Sequence, residues 1–198
     1  MIENLERGLL FIVLDLKTAM LYIFVDGSYA NNKDKSSQIG YVIVIGNETR
    51  GENEFIIEGN IVYFSSTKSK RVVRSTLTSE VLAAVQGGDI GFVLAGTLNM
   101  IMKQLGFEDI PIVLCTDSYS LYDCLVKLGT TTEKRIMVDI MALRESYDRH
   151  EIMEVRWIDG DCNPADAMTK TKPNIALQRL VDTNKLMLKA KSWVEREI

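Results

Sequence analysis

The sequence predicts an α/β fold built on one mixed sheet, an antiparallel meander extended by parallel strands that helices connect. Three observations carry that expectation. Short apolar, β-branched runs fill the first third of the chain, helix-like and strand-like segments alternate through the rest, and no internal repeat or Ser-, Gly- or Pro-rich linker divides them. A run of strands followed by alternation builds a meander first and adds parallel strands afterwards.

Leu21-Tyr22-Ile23-Phe24-Val25-Asp26 is an aromatic and β-branched run that stops at Gly27-Ser28, a buried strand with its turn signal. After the polar stretch Asn31 to Gln38, Ile39 to Ile45 reads as its hairpin partner and closes on Gly46-Asn47. Ile61 to Ser65 supplies a third strand. From Ser75 the texture changes: Leu77, Val81, Leu82, Val85, Ile90, Leu94, Leu98, Ile101 and Leu105 recur at helical spacing. Gly87, Gly88, Gly91 and Gly96 weaken that helix by about 1 kcal/mol each relative to alanine, and a bend or break is expected near Gly87. Ile112 to Thr116 is a fourth strand, Asp117-Ser118 caps a helix over 121–128, a further helix ends near His150, and Met153 to Ile158 is the fifth strand. Asn163-Pro164 opens a short helix with proline in its first turn, where the missing N–H is harmless. An amphipathic helix follows Pro173 through Leu186, with a helical, charged tail behind it.

The formal charge of −4, from 27 acidic and 23 basic residues in 198, excludes a global positive field, so any grip on a polyanion has to be local. Cys115, Cys124 and Cys162 form no CxxC pair, and an odd, sparse count is no disulfide framework. The early apolar run Leu9 to Leu14 is cut by Asp15 and Lys17 and lacks both a basic start and the length of a membrane span. The expectation is an intracellular, cytoplasmic protein, neither secreted nor in a membrane. The sequon Asn47-Glu48-Thr49 then stays unmodified, as a polar turn.

Four carboxylates stand where elements end or begin. Asp26 closes the first strand, Asp117 closes the fourth, Glu80 lies in the first turns of the long helix, and Asp166 in the first turn of a late one. Singly, each has an ordinary role as a turn residue, an N-cap or a partner of the helix dipole. If strands one and four are neighbours, Asp26 and Asp117 meet at the edge where open α/β sheets place ligands. Like charges gathered there repel unless a cation sits between them. Mg²⁺ prefers carboxylate oxygen, and two such ions about 4 Å apart stabilise both the attacking and the leaving oxygen of a phosphodiester displacement.

The segments Phe24-Val25-Asp26-Gly27-Ser28, Ser79-Glu80-Val81-Leu82-Ala83-Ala84, Leu114-Cys115-Thr116-Asp117-Ser118 and Asn163-Pro164-Ala165-Asp166 resemble the four active-site motifs of type 1 ribonuclease H. Val62-Tyr63-Phe64-Ser65-Ser66-Thr67-Lys68 and Ala165-Asp166-Ala167-Met168-Thr169-Lys170 more specifically resemble the ribonuclease H domain of copia-type LTR retrotransposon polyproteins. The resemblance implies the ribonuclease H-like fold, a five-stranded sheet in the order 3-2-1-4-5 flanked by helices. It implies an endonuclease that hydrolyses the RNA strand of RNA/DNA hybrids in reverse transcription. Asp26, Glu80, Asp117 and Asp166 would be its catalytic and metal-binding residues, holding two Mg²⁺ ions with Mn²⁺ as a substitute. It also implies a reverse transcriptase domain of the same polyprotein as partner, and a retroelement particle or the nucleus as further locations.

One departure stands out. Many ribonucleases H carry Gly-His in the loop after the fifth strand, which here reads Asp159-Gly160-Asp161-Cys162; the only histidine, His150, precedes the strand and reads as an ordinary helix-end residue. Lys68, Lys70, Arg71 and Arg74, ahead of the helix that carries Glu80, are expected to contact hybrid phosphates, with Lys170 helping at the same face. Ser28, Asn31 and Ser118 are candidate contacts to the hybrid, and Trp157 reads as core. The domain is expected over residues 20–185, after an extension over 1–19, a remnant of the connection to the polymerase in which Phe11-Ile12-Val13 forms an edge strand or short helix. A helical tail covers 186–198. The competing reading is a catalytically inactive or domesticated module that keeps the fold and binds hybrids or protein partners; an integrase or resolvase shares the metal chemistry but lacks this motif set.

Overall fold

The computed structural model describes residues 8–51, 54–127, 129, 131 and 133–194. Their elements are β1 (Met20–Ser28), β2 (Gln38–Arg50), β3 (Glu54–Lys68), α1 (Thr76–Gln104), β4 (Ile112–Thr116), α2 (Tyr119–Val126), α3 (Met137–Asp148), β5 (Glu154–Ile158), α4 (Ala176–Thr183) and β6 (Lys185–Trp193). A short 3₁₀ turn, Pro164–Met168, stands where the late helix was expected.

The fold is mixed α/β, as the element order predicts. β1, β2 and β3 form the antiparallel meander, and β4 and β5 extend it in parallel from β1, so the expected order 3-2-1-4-5 runs through the sheet. A sixth strand, β6, pairs antiparallel with both β3 and β5 and closes the sheet on itself. The expected helical tail is therefore corrected over the described residues. Leu186 and Leu188 are buried while Lys185, Met187 and Lys189 are exposed, a period of two that fits a half-buried strand and not a helix. Residues 195–198 of that tail lie outside the described residues.

The meander is longer than its apolar runs. β2 continues through Gly46 and Asn47 to Arg50, because Gly46 pairs with Gly59 on β3 and neither brings a side chain into the crossing. A Cβ on Gly59 would lie 2.6 Å from the Ile45 carbonyl oxygen. Asn47 is thus a strand residue, and its side chain accepts from the Asp15 N–H and donates to the Asp15 carbonyl. The segment Phe11-Ile12-Val13 is neither strand nor helix. Side-chain amides replace backbone pairing there: Asn60 both accepts from the Ile12 N–H and donates to its carbonyl, and Asn184 donates to Leu10.

α1 is one helix of 29 residues, unbroken at its glycines. No break occurs at Gly87, and Gly87 and Gly91 form a contact face on β1: a Cβ on Gly91 would lie 2.2 Å from Ile23 Cδ1, and one on Gly87 3.0 Å from Val25 Cγ1. Their helix cost is offset by close packing. Among the described helices α1 alone is long and apolar enough to cross a membrane, and here it lies along the sheet.

β1 alternates between two cores. Leu21, Ile23 and Val25 face α1, α2 and α3, while Tyr22 and Phe24 face the interior closed off by β6. These layers leave the C-terminal ends of β1 and β4 open at one edge.

Candidate active site

β1 and β4 run parallel with Val25 opposite Thr116, so the next residues, Asp26 and Asp117, leave the sheet side by side. α1 delivers the third carboxylate. Ser75 caps it by accepting from the Thr78 N–H, which sets Glu80 one turn inside the helix. The helix start presses on the end of β1 at Gly27, where a Cβ would stand 2.3 Å from the Ser79 carbonyl carbon and 2.7 Å from the Glu80 nitrogen. Only glycine lets the helix backbone come this near.

The outcome is a cluster in which ligand atoms of Asp26, Glu80 and Asp117 all lie within 4.8 Å of one another. Asp26 and Glu80 are buried and Asp117 half-buried. Burial pushes the Asp26 carboxyl up to about 6, against the hydrogen bond from Thr169 and with the Asp117 charge adding to the rise. Burial, then the charges of Asp26 and Asp117, hold Glu80 well above the usual carboxylate range, and burial raises Asp117. Glu80 Oε2 is buried without a hydrogen-bond partner among the described residues. Three converging oxygen donors, one of them orphaned, fit a hard divalent cation, which would relieve both the repulsion and the unpaired oxygen.

Asp166 takes a different place. Its turn is fixed by Asn163, fully buried, whose amide donates to the Val25 carbonyl at 2.9 Å and whose oxygen caps the turn at Ala165. One carboxylate oxygen accepts from the Asn174 N–H at 2.8 Å, and the other pairs with Lys170, just past the end of the turn. The Lys170 ammonium also stands 3.9 Å from Asp26 Oδ1. Three of the four expected carboxylates therefore converge directly, and the fourth is joined to them through a lysine. Gly40, opposite Asp26 on β2, makes room for this second wall: a Cβ there would meet Met168 Cβ at 2.4 Å. Thr169 donates its hydroxyl to Asp26 Oδ2.

The expected nucleic-acid contacts divide. Lys170 points into the carboxylates. Lys68 pairs with Asp34 at 2.8 Å and Arg71 with Asp139 at 3.2 Å, whereas Lys70, Arg74 and Asn31 are exposed. Ser28 is buried, its hydroxyl without a hydrogen-bond partner among the described residues, and Ser118 caps α2 by accepting from Leu121. His150 precedes β5, at the opposite end of the parallel strands from the carboxylates. In the loop after β5, Gly160 passes Asp117 so closely that a Cβ would stand 3.2 Å from its Oδ2.

Sequence reasoning missed Asn163, Thr169, Asn174, Gly27 and Gly40 as parts of the site. Asn163, Thr169 and Gly27 lie within the motifs named above, and a buried polar residue beside a converging carboxylate is a signal in itself. The glycines act through neighbours 50 or more residues away, which no local pattern reveals.

No family model matches the chain, and no curated protein matches its sequence. Among solved structures, LC11-RNase H1, isolated from compost by a metagenomic approach, is similar at a TM-score of 0.52 and 18% identity, covering 80% of this chain and 98% of that one. The same protein in complex with an RNA/DNA hybrid is similar at 0.52 and 16% identity, over 79% of this chain and 99% of that one. RNase H1 from the halophilic archaeon Halobacterium salinarum NRC-1 gives 0.50 and 18% identity, over 80% and 98%. This likeness shows the fold, and the chain has the ribonuclease H-like fold.

Proposed function

We propose that this chain is a divalent-metal-dependent endoribonuclease that cuts the RNA strand of RNA/DNA hybrids. The observation that carries the reading is the buried cluster of Asp26, Glu80 and Asp117, with ligand atoms within 4.8 Å and one oxygen of Glu80 unpaired. A packed core gains nothing from three such charges, and their desolvation costs stability unless a cation is bound. The structure of LC11-RNase H1 with an RNA/DNA hybrid supports the choice of substrate on the shared fold.

Asp26, Glu80 and Asp117 would hold the metal, with Asp166 completing the set once Lys170 yields its oxygen; bound Mg²⁺ or Mn²⁺ supplies an activated water and charge for the leaving oxygen. The chain's own residues do the positioning. Thr169 fixes the rotamer of Asp26, Asn163 ties the end of β1 to the Asp166 turn, and Lys170 neutralises Asp166 and Asp26 in the resting site. The paired motifs at 62–68 and 165–170 favour descent from a copia-type retroelement polyprotein, with a reverse transcriptase domain as neighbour and an intracellular setting. Residues 20–185 carry the motifs of that domain, and β6 belongs to the same folded unit, since it seals the sheet.

The test is incubation with labelled RNA/DNA hybrid, duplex RNA and duplex DNA, in Mg²⁺, in Mn²⁺ and in EDTA. The expected result is cutting of the RNA in the hybrid alone, lost in EDTA. Binding of hybrid without cutting under either ion returns the inactive-module reading, and cutting of duplex DNA overturns the substrate.

A further inference from the structure

Next to the carboxylates lies an aromatic surface that the chemistry above does not use. Tyr119 begins α2, two residues after Asp117, and the residue is 46% exposed. Trp157 sits on β5 opposite Thr116, half-buried, and its indole N–H donates to the Asp117 carbonyl at 3.2 Å. The two rings meet at 4.8 Å between centroids and a 58° tilt, with Tyr122 behind them at 6.4 Å from Trp157. Two exposed ammonium groups lie over the pair. Lys127 stands over the Tyr119 ring at 5.3 Å from its centroid, and Lys191, which the closing strand β6 brings here, stands over the Trp157 ring at 5.5 Å. Lys127 has no ion pair among the described residues, and Lys191 has a long, partly exposed one to Asp159 at 3.4 Å. The Tyr119 hydroxyl donates to Asp123, which holds the ring in place.

We propose that Tyr119 and Trp157, between Lys127 and Lys191, form a stacking platform for an unpaired base next to the cut site, so that the chain favours hybrids that continue into a single strand. The inference rests on the endonuclease reading and adds a substrate feature to it. The chemistry selects the partner. Every base has a π face that an aromatic ring accepts, and the two flexible lysines, which cover the rings in the free protein, can turn to the flanking phosphates of an arriving strand and so open the ring faces to its base. Inside a duplex both faces of a base are already stacked, so only an unpaired or terminal base can use the platform. The tie from Trp157 to the Asp117 backbone sets the platform beside the reacting edge rather than at a remote face.

The experiment compares a blunt RNA/DNA hybrid with the same hybrid carrying a single-stranded extension. The wild-type chain should show the lower KM on the extended hybrid. Tyr119→Ala should raise that KM roughly tenfold, the scale of one lost base–aromatic stack, with kcat unchanged and the blunt hybrid unaffected. Tyr119→Phe keeps the ring and loses only the exposed 3.3 Å bond to Asp123, so its KM should stay near the wild-type value and well below that of Tyr119→Ala. Lys127→Gln and Lys191→Gln should each lower the slope of log affinity against log salt by about 0.7, as expected for one single-strand phosphate contact. In a Trp193→Phe background, where Trp157 is the remaining tryptophan, a single-stranded oligonucleotide should quench the fluorescence, and Tyr119→Ala should weaken the quenching. Equal KM values on both hybrids, or an unchanged KM in Tyr119→Ala with cutting intact, overturn the platform and leave the endonuclease standing. If no hybrid is cut, the endonuclease reading fails, and the quenching still decides whether the surface binds a strand: no quenching overturns it.

Discussion

Asp26, Glu80 and Asp117 are held together at a cost that shows in their titration. A carboxyl whose pKa is higher in the folded chain than in the unfolded one stabilises the fold most below its unfolded value, near 4, and loses that contribution as pH rises through the folded value. For Asp26 that value is about 6, and Glu80 and Asp117 shift in the same direction. The metal-free protein should therefore melt at a higher temperature at pH 5 than at pH 8, and millimolar Mg²⁺ should raise the pH 8 melting point far more than the pH 5 one. A melting curve independent of pH in EDTA would contradict the burial of these charges. By the same logic Glu80→Gln removes a desolvated charge: it should raise the metal-free melting point at pH 8 while lowering hybrid cutting by about 10²-fold or more, the scale of a lost electrostatic contact in a reacting site. Calorimetry and a cleavage assay on one preparation separate the two effects. At this scale much was legible, because each carboxylate closes or opens an element and such ends are visible in sequence. Lys170 was legible as a basic residue near Asp166, but its direction was not, since a side chain turned toward the carboxylates and one turned toward solvent have the same local pattern.

The elements differ in how openly the sequence announces them. β1 and β4 are continuous apolar runs that end on aspartate, and both are found where expected, with β1 longer at each end. β6 was hidden by composition: Lys-Leu-Met-Leu-Lys-Ala-Lys is rich in good helix formers, Met187 interrupts its apolar–polar alternation, and the partners of the strand lie some 30 to 130 residues back. The four glycines of α1 misled in the opposite sense. They read as weak points, and Gly87 and Gly91 are in fact the face through which the helix reaches β1. Gly27 joins element packing to the site. Gly27→Ala would drive a methyl group into the Ser79–Glu80 backbone, which cannot rotate away as a side chain can. The helix start must shift, at about 1–3 kcal/mol of stability. Urea unfolding should show that loss, and cutting should fall further than the stability loss explains, since Glu80 moves away from Asp26. Full activity in Gly27→Ala would mean that the helix start does not set the carboxylate geometry.

Closure of the sheet is a property of the whole chain, and a buried ionic cluster underlies it. Arg156 on β5 is fully buried and pairs with Glu48 on β2 and with Glu154 two residues before it, at 2.6 Å, while its guanidinium lies 4.3 Å from the centre of the Phe55 ring on β3. Arg50 bridges the same two carboxylates, and the Tyr22 hydroxyl donates to Glu48. The cluster thus links β1, β2, β3 and β5 inside the space that β6 seals with Leu186 and Leu188. No local pattern could have announced it, because Glu48 and Arg156 stand 108 residues apart and each reads alone as a surface charge. Breaking such a cluster leaves charges stranded, and that penalty exceeds the value of the intact pair. Arg156→Met should cost about 3 kcal/mol in urea unfolding, discounted from the upper range because Arg50 still faces both carboxylates. Adding Glu48→Gln and Glu154→Gln should return much of it, since the stranded charges are then gone. If the single substitution is neutral, the barrel interior admits water and the closure by β6 is loose. If the triple variant stays as unstable as the single one, the apolar stem of Arg156 against Phe55 is what holds the strands together, and the charges are secondary.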